Sequence, residues 1–454
     1  MTKINMPQGA AYIIEQLNNN GFEAYIVGGC VRDSLLNKTP NDWDITTSAT
    51  PGQVKAIFGR TVDTGIEHGT VTVIVDREHS GNFEAGNDVP YTFEVTTYRV
   101  DGEYKNHRKP CSVEFTASLS EDLKRRDFTI NAMAYNDREG IVDIFGGAED
   151  LNAGIIRAVG CASDRFDEDA LRILRAERFA AQLGFEIEEE TKKAMVEQAA
   201  FLKDISAERI QVELTKLIMS DNPGRLAEAY ELGITGIILP EFDVMMETAQ
   251  NNPYHIYNVG MHTVRVMENV PADMVLRYAA LLHDVGKPGT KVTGEDGVDH
   301  FYGHQLLSAD MARTILRRLK LDNNTIKRVC ILVENHDFGI GNKVSPAKFR
   351  RFLNKIGKEN AKDFFLIKRA DIAGQSPLYR DKTLALVGRM EQIYDTTIRE
   401  GHCITIKELA IGGSDLIELG MKPGREIGET LDRLLDKVLS DPSLNERDKL
   451  IKMI

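Results

Sequence analysis

Disulfide frames, zinc ribbons and membrane spans all lack support in this chain. Its five cysteines (Cys30, Cys111, Cys161, Cys330 and Cys403) are scattered over 454 residues without a C-x-x-C pair, so neither a disulfide frame nor a zinc ribbon is expected. No apolar run reaches the length of a bilayer span, and the opening "MTKINMPQGA" lacks the apolar core and cleavage site of a signal peptide. Internal repeats of solenoid period and low-complexity linkers are missing as well. The expected compartment is the cytoplasm, with no membrane partner. Positive charge is in deficit: 56 Lys and Arg against 69 Asp and Glu leave a net charge of −13. That balance argues against unspecific coating of nucleic acid. It is compatible with a local basic track, because phosphate contacts depend on where the charge sits.

What is present reads as a globular protein of more than one core. Hydrophobic residues make up 42% and charged residues 28%, ordinary values for such a chain, and the length predicts two to four domains. Up to about residue 150, short β-rich runs ("AYIVGG", "DWDITT", "GTVTVIVD", "YTFEVTTYRV", "GIVDIFGG") alternate with helical patterns. Among the latter, "PQGAAYIIEQLNNNG" is stopped by Gly21 and "SATPGQVKAIFG" has a Thr-Pro start. "SGNFEAGNDVP" suits a hairpin loop. From about 151 onward the strand patterns vanish and apolar residues recur at three and four spacings. The prediction is an α+β chain. A head with a small mixed sheet spans 1–150, followed by helical segments over 151–225, 226–400 and 401–454.

The stretch "VGGCVRDSLLNKTPNDWDITTSATP" concentrates the first candidate site. Side chains alternate along a strand, so Asp42 and Asp44 are predicted on one strand face, with Trp43 and Ile45 on the other. Two carboxylates on one face suit magnesium, which shares its shell with water and substrate phosphates. Gly28 and Gly29, between a strand and a helix start, let backbone amides approach phosphate oxygens, and Arg32 can add a guanidinium. Glu94 is a third acid in mid-strand. Taken singly, a Gly-Gly turn is common and D-x-D is usually a solvated edge; it is their conjunction that points to catalysis.

"GGCVRDSLL" followed by "NDWDITTSATP" resembles the nucleotidyltransferase head of class II tRNA nucleotidyltransferases, the CCA-adding enzymes and their bacterial poly(A) polymerase relatives. The resemblance implies addition of C, C and A to the tRNA 3′ end from CTP and ATP without a nucleic-acid template. It implies a two-metal phosphoryl transfer with Asp42 and Asp44 as magnesium ligands and Glu94 as the third carboxylate. "EDLKRRDFTINAMAYN" is similar to the family stretch that contacts ribose and phosphates, so Arg125, Arg126, Asp127 and Asn131 are expected there. A plain helix with a charged first turn fits those residues equally well. "DEDALRILRAERF" matches the family's nucleobase-reading motif through Glu168, Asp169 and Arg172. Asp169 and Arg172, three apart, are predicted to share a helix face. An aspartate accepting from an exocyclic amine and an arginine donating to a ring nitrogen suit cytosine and adenine, and clash with guanine and uracil.

"YRVDGEYKNHRKPCSVEF" follows the family's flexible-loop pattern at Arg99, Asp101, Gly102, Tyr104, Arg108 and Pro110, which favours a complete CCA or A-adding output. In "ISAERIQVELTKL", Glu208 and Arg209 read as charges that stabilise the neck. Six of the ten histidines lie between His255 and His336. The order His262, His283-Asp284 and Asp371 resembles HD-superfamily metal phosphohydrolases, with a transition metal implied. His304 and His336 fit positions that complete a second metal or bind phosphate. Such a domain is associated with phosphatase or 2′,3′-cyclic phosphodiesterase activity in some tRNA nucleotidyltransferases. In the tail, Lys422 and Arg425 before a helix suit a tRNA phosphate, and a plain helical hairpin fits as well. Two alternatives accompany the CCA reading: an A-adding enzyme or poly(A) polymerase, and a metal phosphohydrolase whose head only binds nucleotides. The oligomeric state is not legible.

Overall fold

A computed structural model describes residues 3–76, 91–102, 104–105, 107, 109–110, 112–339 and 344–454. Arg108, Cys111 and the expected loop at 80–90 lie outside them. The chain forms two compact units, residues 1–217 with 228–238, and residues 218–227 with 239–454. No helix among the described residues is long and apolar enough to cross a membrane. Cys30, Cys161, Cys330 and Cys403 are all unpaired.

The first unit is built on a seven-stranded mixed sheet. Its strands include β1 (Ala24–Val27), β2 (Ile45–Thr47), β3 (Thr61–Gly65), β4 (Thr70–Val75) and β5 (Tyr91–Thr97). They run in the order Gly140–Asp143, Met133–Asn136, β1, β2, β5, β4, β3. The β2–β5 pair is parallel and every other neighbour antiparallel. Helix α1 (Gln8–Asn19) buries Gly9, Ala10, Ile13, Ile14 and Leu17. Gly9 is required where α1 crosses the sheet, since a Cβ there would meet the Phe93 ring at 2.6 Å. The opposite face carries Tyr25, Val27 and Ala134, capped by Tyr98, Leu119 and Leu123. Helix α2 (Gly29–Leu35) follows β1 directly, and α3 (Pro51–Ile57) starts on a capping box between Thr50 and Gln53.

Beyond the sheet the unit is helical, including Ala162–Glu168, Leu171–Leu183, Glu189–Gln198 and Ala207–Ile218. Two expectations need correction. Strands do not vanish after residue 151: Ile155–Ile156 pairs with Glu186–Ile187, and Val292–Thr293 with Asp299–His300. These pairs span two residues per strand, too few for an alternating pattern to show. The predicted strand over "DWDITT" begins only at Ile45. The Val27 N–H donates to the Asp44 carbonyl at 3.0 Å, and β1 ends there as the chain turns into α2, so Asp42 has no ladder partner.

The second unit is a helical body. Helices Val259–Glu268, Met274–Leu282, Asn323–Asn335 and Pro346–Ile356 are capped by Asn258, Asp273, Asp322 and Ser345 side chains accepting first-turn amides. Aromatic packing of Phe338, Phe349, Phe352, Phe364 and Phe365 joins Pro346–Ile356 to Ala361–Ala373.

Candidate active site

The parallel register aligns Ile45 with Val95, so Asp44 lies level with Glu94 and projects from the same sheet face. Asp42, Asp44 and Glu94 line one cavity of about 810 Å³ together with Trp43. All three carboxylates are exposed to it. None accepts a hydrogen bond or forms an ion pair with another described residue. Loss of solvent in the cavity pushes the Asp44 carboxyl above its ordinary range; Arg126 opposes this, and the Glu94 and Asp42 charges reinforce it. Like charges held together by the sheet, with oxygen as the sole donor type, fit a hard divalent cation. The donor set therefore suits the metal that the sequence implied.

Gly28 faces this edge. Its φ of 78° lies in the left-handed region, and a Cβ would come within 2.9 Å of Arg126 Nη1. Gly28→Ala is expected to lower stability by about 1 kcal/mol from backbone strain. It should also raise KM for the nucleotide several-fold by displacing Arg126, which steady-state kinetics at saturating tRNA would check.

Behind the glycines sits a polar network, part of which the sequence did not disclose. Arg32 donates to Asp33 at 2.8 Å and to Asn131 Oδ1 at 2.6 Å. Asn131 donates in turn to Asp127 Oδ1 at 3.2 Å, and Asp127 Oδ2 takes Arg175 in a two-pronged pair at 2.8 and 2.5 Å. Burial pushes the Asp127 carboxyl up, but the Arg175 charge and bonds outweigh it and hold Asp127 well below the carboxylate range. Arg178 closes the far end on Glu213 at 2.8 Å. Asp122, fully buried, accepts from Thr46, Arg125 and Arg126. Asp122, Arg175, Arg178 and Glu213 went unrecognised. Only Asp122 left a local trace, three and four residues before Arg125 and Arg126.

Asp169 and Arg172 do not share a helix. Ala162–Glu168 ends at Asp169 in an extended conformation, and the next helix starts at Leu171. Asp169 is gripped by Arg209 at 2.7 and 3.2 Å, which gives Arg209 the stabilising part expected of it. Glu208 is exposed. Arg172 donates to Glu168 at 2.5 Å, to the Arg165 carbonyl at 3.1 Å and to the Arg125 carbonyl at 2.8 Å. The two residues still adjoin through one backbone turn, Arg172 N–H to the Asp169 carbonyl at 2.9 Å. From the flexible-loop pattern, Arg99 pairs with Asp101 at 3.1 Å, and the Gly102 N–H donates to the Ser112 carbonyl at 2.9 Å. Tyr104–Lys105 pairs with Lys109–Pro110. In the tail, Lys422 and Arg425 are exposed, and Arg425 pairs with Glu429 at 2.7 Å.

The second unit gathers every member of the histidine set. His283 and Asp284 sit in the turn just past Met274–Leu282, while His304 opens helix His304–Arg318 and His336 closes Asn323–Asn335. His262 comes from within Val259–Glu268 and Asp371 from the last turn of Ala361–Ala373. Ligand atoms of His262, His283 and Asp284 lie within 4.8 Å of one another, as do those of Asp284, His304 and His336. Asp371 Oδ1 is 3.1 Å from His262 Nε2. Burial pushes His283 down, but the Asp284 charge and hydrogen bond outweigh it and leave the imidazole above its ordinary range.

Comparison with known proteins agrees with the head and the full length. Residues 24–157 match the Poly A polymerase head domain, 184–246 the "probable RNA and SrmB-binding site of polymerase A", and 304–454 the putative tRNA nucleotidyltransferase domain 2. The CCA-adding enzyme of Enterococcus faecalis is 36% identical over 97% of this chain and 94% of its own. That of Pediococcus pentosaceus is 34% identical over 99% and 98%. The crystal structure of the Bacillus stearothermophilus CCA-adding enzyme in complex with CTP superposes with a TM-score of 0.71 at 32% identity, covering 98% of this chain and 97% of that one. With a polymerase-type head and relatives matched from end to end, the chain belongs to the CCA-adding enzyme family and is a nucleotidyltransferase.

Proposed function

We propose that this chain rebuilds the 3′ end of tRNA, adding C, C and A from CTP and ATP and releasing pyrophosphate without a nucleic-acid template. The observation that carries the reading is the register that sets Asp44 level with Glu94, beside Asp42, over one cavity. Asp42 and Asp44 would hold magnesium, with Glu94 as the third carboxylate. Bound there, magnesium would lower the pKa of the RNA 3′-hydroxyl and neutralise the departing pyrophosphate. The Gly28 N–H donates to the Met133 carbonyl at 3.1 Å, so the turn it makes presents the Gly29 backbone amide to the triphosphate, joined by Arg32 and by Arg126 across from Gly28. Arg125 is turned toward Asp122 and Asp101 and lies at the edge of this group. Asp127 and Asn131 fix Arg32 from behind.

Base choice falls to Asp169 and Arg172. Three of the five guanidinium N–H groups of Arg172 are taken up by Glu168 and the two carbonyls, leaving others for a ring nitrogen. An ionised carboxylate has about four lone-pair sites, so Asp169 can accept an exocyclic amine while Arg209 holds it. Head (1–150), neck (151–225), body (226–400) and tail (401–454) divide the work, with Lys422 and Arg425 on a tRNA phosphate. The cytoplasm is our reading of the compartment.

Single-nucleotide extension tests the proposal. Transfer RNA ending at the discriminator base, at CC and at CCA is incubated with each NTP alone. We expect C on the first, one A on the second and nothing on the third. Homopolymer A on every substrate would identify a poly(A) polymerase instead, and extension of the CC end alone an A-adding enzyme. Asp169→Ala is expected to weaken discrimination against UTP roughly 10- to 100-fold, the loss of one charged hydrogen bond. Unchanged discrimination would remove Asp169 from base reading.

A further inference from the structure

We propose that Trp43, the sole tryptophan of the chain, is the stacking platform for the terminal base of the RNA 3′ end, in a subsite across the carboxylates from the incoming triphosphate. The inference rests on the CCA-adding reading and assigns the place of its acceptor. Strand alternation would turn Trp43 away from Asp42 and Asp44. Because β2 begins only at Ile45, the irregular chain ahead of it escapes that alternation, and the indole lines the same cavity as the carboxylates. The ring is half-buried. Among the described residues no aromatic ring stacks against it, and its N–H has no acceptor. A tryptophan of a packed core ordinarily has its N–H paired, so this one is placed as lining.

The cavity lies on the acceptor's side of the carboxylates. In the sheet, β2 stands between β1 and β5. β1 leads into the Gly28–Gly29 turn, while β5 carries Glu94. The cavity reaches Thr92 and Glu94 on β5 and Asn5 ahead of α1, and neither the glycine turn nor Arg32 nor Arg126 lines it. In phosphoryl transfer the attacking and leaving oxygens stand roughly in line, on opposite sides of phosphorus. With pyrophosphate departing toward Arg32 and Arg126, the attacking 3′-hydroxyl enters from this cavity.

The lining fits a nucleoside end and not a phosphate chain. Among the described residues no lysine or arginine lines the cavity, whereas three carboxylates do. That charge disfavours a second triphosphate and accepts a neutral base and ribose. A volume of about 810 Å³ holds one nucleotide with room to spare. The exposed side chains of Asn5, Thr39, Asn41 and Thr92 offer amides and hydroxyls to ribose oxygens. The growing end presents a changing base, first the discriminator base and then C. Hydrogen-bond readout of one base edge would stall such a series of acceptors. A ring face takes them all, because stacking is tolerant of sequence.

Emission from the sole tryptophan reads this subsite directly. With a chelator present to prevent transfer, the full chain is titrated with tRNA ending at the discriminator base, with the same tRNA carrying an abasic terminal ribose, and with CTP. Filter retention follows binding of both tRNAs. The first tRNA is expected to quench Trp43 emission, the abasic one to bind with little quenching, and CTP to leave emission unchanged. No quenching by the first, or equal quenching by both tRNAs, overturns stacking on the terminal base. Quenching by CTP alone puts Trp43 on the nucleotide side and overturns the subsite. In magnesium-supported extension, Trp43→Leu should raise KM for tRNA on the order of tenfold and leave KM for CTP unchanged. Trp43→Phe, which keeps a ring face, should recover most of that loss. An unchanged tRNA KM in Trp43→Leu removes the platform and leaves the CCA-adding reading standing, whereas a wild type that extends no tRNA overturns that reading itself. Where Trp43→Leu fails to fold, the wild-type titration decides.

Discussion

Asp44→Asn is expected to reduce nucleotide incorporation on tRNA by on the order of a thousandfold in kcat, about 4 kcal/mol of transition-state stabilisation. Tm should stay unchanged or rise. The two outcomes come from one arrangement. Enclosure in the cavity, with Glu94 and Asp42 adding to it, raises the Asp44 carboxyl above its unfolded value despite Arg126. A carboxylate raised in the fold binds its proton more tightly there than in the unfolded chain. Stability from this group is therefore greatest at acid pH and falls as pH rises through the folded pKa, so the ionised form weighs against folding at neutrality. Asparagine keeps the shape and removes that charge, along with the ligand. Incorporation of CTP measured beside thermal unfolding checks both. Full activity in the variant would return transfer to the alternative in which the head only binds nucleotides. A large fall in Tm would show that the carboxylate is structural.

The parts of this site that were legible in the sequence are those whose chemistry is local. Gly28, Gly29 and Arg32 lie at one strand-to-helix turn; Asp44 and Glu94 come level because parallel β2 and β5 share a register, and Asp42 lines the same cavity from the chain ahead of β2. The overshoot of the strand into Asp42 had a tertiary cause, the end of β1 at Val27, which no pattern within residues 42–47 records. The supposed helix face of Asp169 and Arg172 failed for a related reason. Their spacing of three fits a helix, but the chain breaks at Asp169 because Arg209, forty residues on, holds that carboxylate outside the helical turn. The same holds for Asp127, whose partner Arg175 is 48 positions away. In the histidine cluster, residue types and order were enough to name six members. The division into two sets was expected from the sequence, with His304 and His336 assigned apart; that Asp284 faces both pairs was not legible, because it depends on which oxygen of Asp284 faces which imidazoles. Asp337, whose oxygens lie 3.2 Å from His304 and 3.4 Å from His336, went unrecognised.

The second large effect is structural. Asp127→Ala should destabilise the first unit by about 3 kcal/mol, the low end for breaking a buried ion pair. Asp127 is nearly buried, and its two oxygens take the Phe128 N–H, the Asn131 amide and both prongs of Arg175. Removing it strands Arg175, which is half-buried and keeps, among the described residues, only Glu213, at 3.6 Å, as an ion partner. It also frees Asn131, the residue that holds Arg32 at 2.6 Å. The loss should therefore appear twice, as a lowered unfolding midpoint and, under conditions where the variant is folded, as a raised KM for CTP and ATP alike. Its pH dependence has a definite sign. The folded Asp127 carboxyl lies below its unfolded value, so its contribution is fully present above the ordinary carboxylate range and is lost as pH falls. The gap between wild type and Asp127→Ala should accordingly narrow in acid and hold constant from about pH 6 upward. A gap that widened in acid would mean that Asp127 is paired differently. A normal KM for both nucleotides in a destabilised variant would disconnect this network from Arg32, and leave the triphosphate to the glycine turn and Arg126.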